Sequence, residues 1–104
     1  MKIKILQYEN RSIPMIFCDL CEKAIDKDQR SEYLIPRLKN GDAGDPIVGH
    51  TACTEPYEKR KYAETGEVEF GNMSLGYLLA ALIANHGIDI DRERKSMDAL
   101  SQIA

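Results

Sequence analysis

The chain contains no tryptophan, two phenylalanines and three cysteines among its 104 residues. Three is an odd number, and the cysteines are not spread along the chain, so a disulfide framework of the kind found in small secreted domains is excluded. No long apolar run is present either. The longest, YLLAALIA at 77–84, falls far short of the roughly 20 residues a bilayer-spanning helix needs. The opening MKIKILQYEN lacks the apolar stretch and small-residue cleavage site of a signal peptide, which points to the cytoplasm and away from a membrane. Positive charge is not in excess: 14 basic against 17 acidic side chains give a net charge of −3, which disfavours wholesale binding to a polyanion. No internal repeat or low-complexity tract occurs, and no glycine-rich loop is placed to cradle phosphate, since aspartates flank Gly41 and Gly44.

What remains is an ordinary globular composition, 43 % hydrophobic and 30 % charged, in a length that suits one domain. The pattern along the chain predicts an α+β fold. KIKILQY at 2–8 reads as a strand, and IPMIF at 13–17 as a second joined to it by the polar turn at 9–12, forming a β-hairpin. Pro14 belongs near the start of the second strand or on an edge. A third strand is expected at 32–38, where Pro36 again argues for an edge, followed by a turn-rich loop at 40–46 and a short apolar segment, Ile47–Val48. Pro56 and Gly66 bracket a helix, with Cys53 or Thr54 as its N-cap. Val68–Phe70 is a short strand or connector. Ser74 caps a second helix, which Gly87 stops, and a last helix starts near Asp91 with Met97, Leu100 and Ile103 on one side. Residues 1–66 thus form a hairpin and finger with its helix, and residues 67–104 a helical segment packed on it, within a single domain.

The cysteines carry the chemistry. Written as a pattern, the chain is C-x2-C at 18–21, 28 intervening residues, then H-x2-C at 50–53. Zinc takes four ligands in a tetrahedron and prefers thiolate and imidazole, so Cys18, Cys21, His50 and Cys53 form a complete donor set. Two ligands two residues apart can reach one ion from a tight turn. The second pair sits where the chain enters a helix, whose positive dipole end faces the thiolates. The plainer alternative makes the cysteines small buried hydrophobes and His50 a surface imidazole, but every cysteine falls in a ligand pair. Iron is a lesser alternative, because one histidine among three thiolates is unusual for common clusters. His86 ends an apolar helix far away in sequence and reads as a dipole-stabilising residue. A closed four-ligand set leaves no position for water, which argues for a structural zinc rather than an enzyme, although Glu22 and Glu55 neighbour ligands.

CDLCEKAI…GHTAC resembles a treble-clef zinc finger, in which a knuckle supplies the first pair and a helix start the second. LIM half-domains show a similar C-x2-C…H-x2-C with a shorter gap. The poly(ADP-ribose) polymerase type finger is closer in spacing and has an isoleucine and basic residues after the knuckle, as Ile25, Lys27 and Arg30 stand here. The resemblance covers residues 17–57 and implies a zinc-stapled module. This chain departs from it in having Val48 and Gly49, not an aromatic, before His50, and Glu22 where knuckles favour glycine.

Two functions are compatible with these residues. In the first, the module regulates or binds a protein, a partner or a second copy, through the apolar stripe Leu75, Leu78, Leu79, Leu82 and Ile83; Gly76, Ala80 and Ala84 form a small-residue face beside it. Packing of that stripe against the protein's own sheet is the competing explanation. In the second, Arg37, Lys39, Lys59, Arg60 and Lys61, flanking the finger, contact nucleic acid.

Overall fold

The computed structural model describes residues 1–38, 40–65 and 69–103; Lys39, Gly66 and Val68 lie outside the described residues, as do the side chains of Leu100 and Ile103. The described chain is a small α+β protein with two antiparallel sheets and three helices. Strands β1 (Lys2–Tyr8) and β2 (Arg11–Phe17) form the predicted hairpin, with Tyr8 opposite Arg11 and Lys2 opposite Phe17. Its two-residue loop holds Glu9 and Asn10 at φ 47° and 63°, the left-handed pair that lets a tight turn follow the strand twist. Hydrogen-bonded pairs alternate from Tyr8–Arg11 outward, so Pro14, opposite Ile5, falls at a position whose amide would point away from β1. Its missing N–H costs the ladder nothing.

The second sheet has the order β4-β3-β5, from β3 (Ser31–Arg37), β4 (Ile47–His50) and β5 (Glu69–Ser74), so β3 is central and not the edge that Pro36 suggested; β4 pairs only Ser31–Leu34 and stops short of the proline. β5 pairs with β3 along its whole length, from Glu32–Ser74 to Arg37–Glu69. It is longer than the short segment expected at 68–70. The core is small and centres on this sheet: Cys18, Ile25, Tyr33, Val48 and Leu75 are buried together, with Ile16, Leu20, Ile35, Cys53 and Leu78 packed against them.

Helix α1 (Thr51–Thr65) starts directly after β4, three or four residues earlier than a cap at Cys53 or Thr54 would set it. The start is fixed by tertiary contacts. The Thr51 amide donates to the Arg30 carbonyl at 2.9 Å, and the buried Thr54 hydroxyl donates its single proton to the Glu32 carboxylate, with the Thr51 carbonyl 3.3 Å away. Pro56 therefore lies inside the helix, where it withholds the amide that would bond the Ala52 carbonyl, on an exposed turn. Neither Cys53 nor Thr54 is the cap, and both sit in the first turn.

Helix α2 (Leu75–Asn85) has the expected N-cap: the Ser74 hydroxyl accepts from the Tyr77 amide at 3.2 Å. It ends at His86, whose amide returns to Leu82, and at Gly87, whose φ of 65° suits glycine. Of the predicted stripe, Leu75 is buried, Leu78, Leu82 and Ile83 are partly buried, and Leu79 is exposed. Packing on the protein's own sheet thus accounts for part of the stripe only. Gly76 has open space where a Cβ would stand, so no described backbone uses the small-residue face. Helix α3 (Ile90–Ile103) is capped by Asp89, whose carboxylate accepts from the Arg92 amide at 3.1 Å.

Candidate metal centre

Cys18 and Cys21 lie in the tight turn that follows β2. The Cys18 amide donates to Lys23 and the Glu22 amide returns to the Cys18 carbonyl, closing a knuckle around the first sulfur. Amides of Leu20 and Cys21 point at Cys18 Sγ from 3.4 and 3.5 Å, the arrangement a thiolate requires. Glu22 completes the knuckle at φ 65°, which explains why glycine is favoured at that place in similar turns.

The other two side chains arrive from the junction of β4 and α1, His50 as the last strand residue and Cys53 in the first helical turn. Asp19 fastens the knuckle to this junction. Its carboxylate accepts from the Val48 amide and its own amide donates to the Val48 carbonyl, both at 2.8 Å. The open edge of β4 is thereby occupied by the knuckle.

Four potential ligand atoms converge. Cys18, Cys21 and Cys53 Sγ and one nitrogen of His50 all lie within 4.8 Å of one another. Cys21 Sγ is 3.4 Å and Cys53 Sγ 3.9 Å from His50 Nδ1. Ligands about 2.0–2.3 Å from a tetrahedral ion stand about 3.5–3.8 Å apart, so these separations suit a single shared ion. The imidazole is also in the right tautomer. Its Nε2 faces the Ala24 carbonyl at 3.2 Å and Gln29 Oε1 at 2.7 Å; a carbonyl only accepts, so Nε2 carries the proton and Nδ1 turns its lone pair to the sulfurs. Such outer hydrogen bonds orient histidine ligands and raise their basicity.

The thiols are unequal. Burial opposes ionisation of Cys18, but hydrogen bonds from the Cys21, His50 and Leu20 backbones outweigh it and lower its pKa to about 6. Burial raises Cys53 to about 11, helped by the neighbouring Cys18 charge and by hydrogen bonds with Cys21 and Cys18. Three sulfurs this close repel as thiolates, and a bound cation would relieve that repulsion. These four residues are positioned to bind a metal ion.

Three contributors are missing from the motif. Gly49 is buried, and a Cβ there would lie 3.0 Å from Cys18 Sγ and 3.3 Å from Thr54 Cγ2. Its signal was a glycine inside a strand, next to a ligand, which often marks close approach. Gln29 and Asp19 had no signal, because their partners lie far away in sequence.

Among the other predicted residues, His86 is exposed at the end of α2 and outside the cluster. Arg37 ends β3 opposite Glu69. Arg60 and Lys61 sit over the Tyr57 ring, at 5.6 and 5.7 Å, and Lys61 also pairs with Glu64. Lys59 lines a groove between α1 and β5 with Glu55, Glu58 and Glu69. Comparison with protein-family models, curated proteins and solved structures finds no match to this chain.

Proposed function

We propose that this protein is a small zinc-binding module that regulates or engages another protein, with a structural Cys3His site of treble-clef type. Zinc suits three thiolates and an imidazole in tetrahedral array, and four protein donors leave no position for a reacting water. The ion joins the knuckle to the start of α1 and so stabilises the fold, by roughly 10–16 kcal/mol in comparable small zinc modules. No catalytic role is assigned.

The interaction half of this reading rests on α2. Although the helix is apolar nearly all round, only Leu75 of its stripe is buried, and Leu79 and Tyr77 remain 36 % and 54 % exposed. A stripe of this kind is what helix-in-groove recognition uses. The test is affinity capture from the source cell with the metal-loaded chain and with Leu79→Lys, a change at a surface position. A partner held by the native chain and lost by the variant, with metal content unchanged, is the expected result. A partner held equally by both would refute the assignment to α2.

Nucleic-acid binding is the second reading, and the cations of Arg60 and Lys61 around Tyr57 favour it, since aromatic and basic groups together hold single strands. Against it stand the net charge and the carboxylates around Lys59. A salt-dependent mobility shift would support this reading, and no binding at low salt would eliminate it.

A further inference from the structure

The hairpin is a two-stranded sheet whose first strand is exposed along its whole length. All seven residues of β1 are exposed, Ile3 and Ile5 by 58 % and 57 %, although β-branched side chains on a pleated face favour packing. A two-stranded sheet is marginal in water, and stability comes with a third strand or a covering layer. One of its edges is partly closed. On β2 the outward amide at Pro14 is missing and the outward carbonyl of Ile16 accepts from Ile25 at 2.9 Å. On β1 the residues that bond to β2 are Lys2, Lys4, Leu6 and Tyr8, which leaves the amides and carbonyls of Ile3, Ile5 and Gln7 pointing outward.

We propose that β1 pairs antiparallel with β1 of a second copy of this chain, about a two-fold axis at Ile5, giving a continuous four-stranded sheet. The edge is self-complementary in this register. Ile5 exchanges both bonds with the partner's Ile5, and Ile3 with the partner's Gln7 and the reverse, so every outward group is satisfied. Charge selects the same register. Lys4, whose ammonium lies over Phe17 of its own chain, then faces the partner's Leu6, and Lys2, paired with Glu22 of its own chain at 3.6 Å, faces the partner's Tyr8, so no like charges oppose each other. Shifting the axis to Lys4 sets lysine against lysine, and shifting it to Leu6 leaves the Ile3 groups unpaired. On the opposite face the two Ile5 side chains meet between Pro14 of each copy, making one apolar surface. The other open edge, β5, carries Gly71 and Asn72, which are poor strand residues. This pairing does not depend on the role assigned to α2.

Sedimentation of the intact metal-loaded chain over about 1–300 µM, with amide exchange measured at the same concentrations, tests it. Ile5→Pro removes an amide that the hairpin itself does not use, and Ile5→Lys sets two like charges across the axis while leaving every backbone bond available. The expected result is a dimer in which exchange at Ile3, Ile5 and Gln7 slows as concentration rises. Both Ile5 variants should weaken it about tenfold or more, while Leu79→Lys leaves it intact. A native chain that stays monomeric throughout would overturn the pairing. So would a dimer that survives both Ile5 variants; if that dimer is broken by Leu79→Lys, association runs through α2 and the reading of that helix stands without the strand pairing.

Discussion

Cys18 and Cys53 carry the same side chain in opposite electrostatic surroundings, and this sets how the site responds to protons. Cys18 is held near 6 by amide hydrogen bonds acting against its burial, whereas burial and the Cys18 charge hold Cys53 near 11. At neutral pH the first is already a thiolate and the second must lose a proton to bind an ion. Metal affinity should therefore rise with pH by about tenfold or more per unit between pH 6.5 and 8.5, and fall more steeply below about 6 as Cys18 also protonates. Competition against a chelator of known affinity measures this, and a flat profile would show that Cys53 is not a ligand. Gly49 is the other decisive residue. Gly49→Ala forces a methyl to within 3.0 Å of Cys18 Sγ, with expected costs of about 1–3 kcal/mol in denaturant stability and measurable loss of metal affinity. The ligands were legible in the sequence because their spacing is a local property of a turn and of a helix start. Gly49 was half-legible, as a strand glycine beside a ligand. Gln29, Asp19 and the Thr54–Glu32 hydrogen bond were not, because each depends on chains meeting in space.

At the scale of elements, the site exists because a knuckle and a strand-to-helix junction are clamped together. Asp19 is that clamp. Removing its carboxylate leaves the amide of the fully buried Val48 without a partner, so Asp19→Ala should destabilise the protein by about 1–3 kcal/mol, more than an exposed Asp26→Ala control. Equal midpoints for the two variants in urea would contradict the role given to Asp19. Most elements could be read from periodicity and caps: the hairpin, the Ser74 cap, the Gly87 stop and the run of Ile47–Val48 into His50 all stand as expected. The start of α1 did not follow local rules. Proline favours a first turn, but contacts of Thr51 with Arg30 and of Thr54 with Glu32 begin the helix three or four residues sooner than a cap at Cys53 or Thr54 would. That displacement moves Cys53 from the helix boundary into its first turn, facing His50.

The whole molecule is unusually drawn out. Its radius of gyration is 16.9 Å, against about 13 Å for a compact chain of this length, and its extents are 56 × 30 × 18 Å. The few fully buried side chains, led by Leu34, Val48, Thr54 and Cys18, are gathered near the junction, while the hairpin leaves β1 entirely exposed. Among the described residues no helix is long and apolar enough to cross a membrane. With a core this small, a metal bound by the four clustered side chains would add a crosslink beside the Asp19 hydrogen bonds and so carry a large share of the stability. The measurement that tests this most directly is elemental analysis of the purified chain, followed by chelation monitored by circular dichroism and limited proteolysis. One zinc per chain, with loss of α1 helicity and rapid cleavage between residues 18 and 65 once it is removed, is the result expected here. A chain that carries no metal, or that keeps its spectrum and protease resistance after chelation, would contradict it.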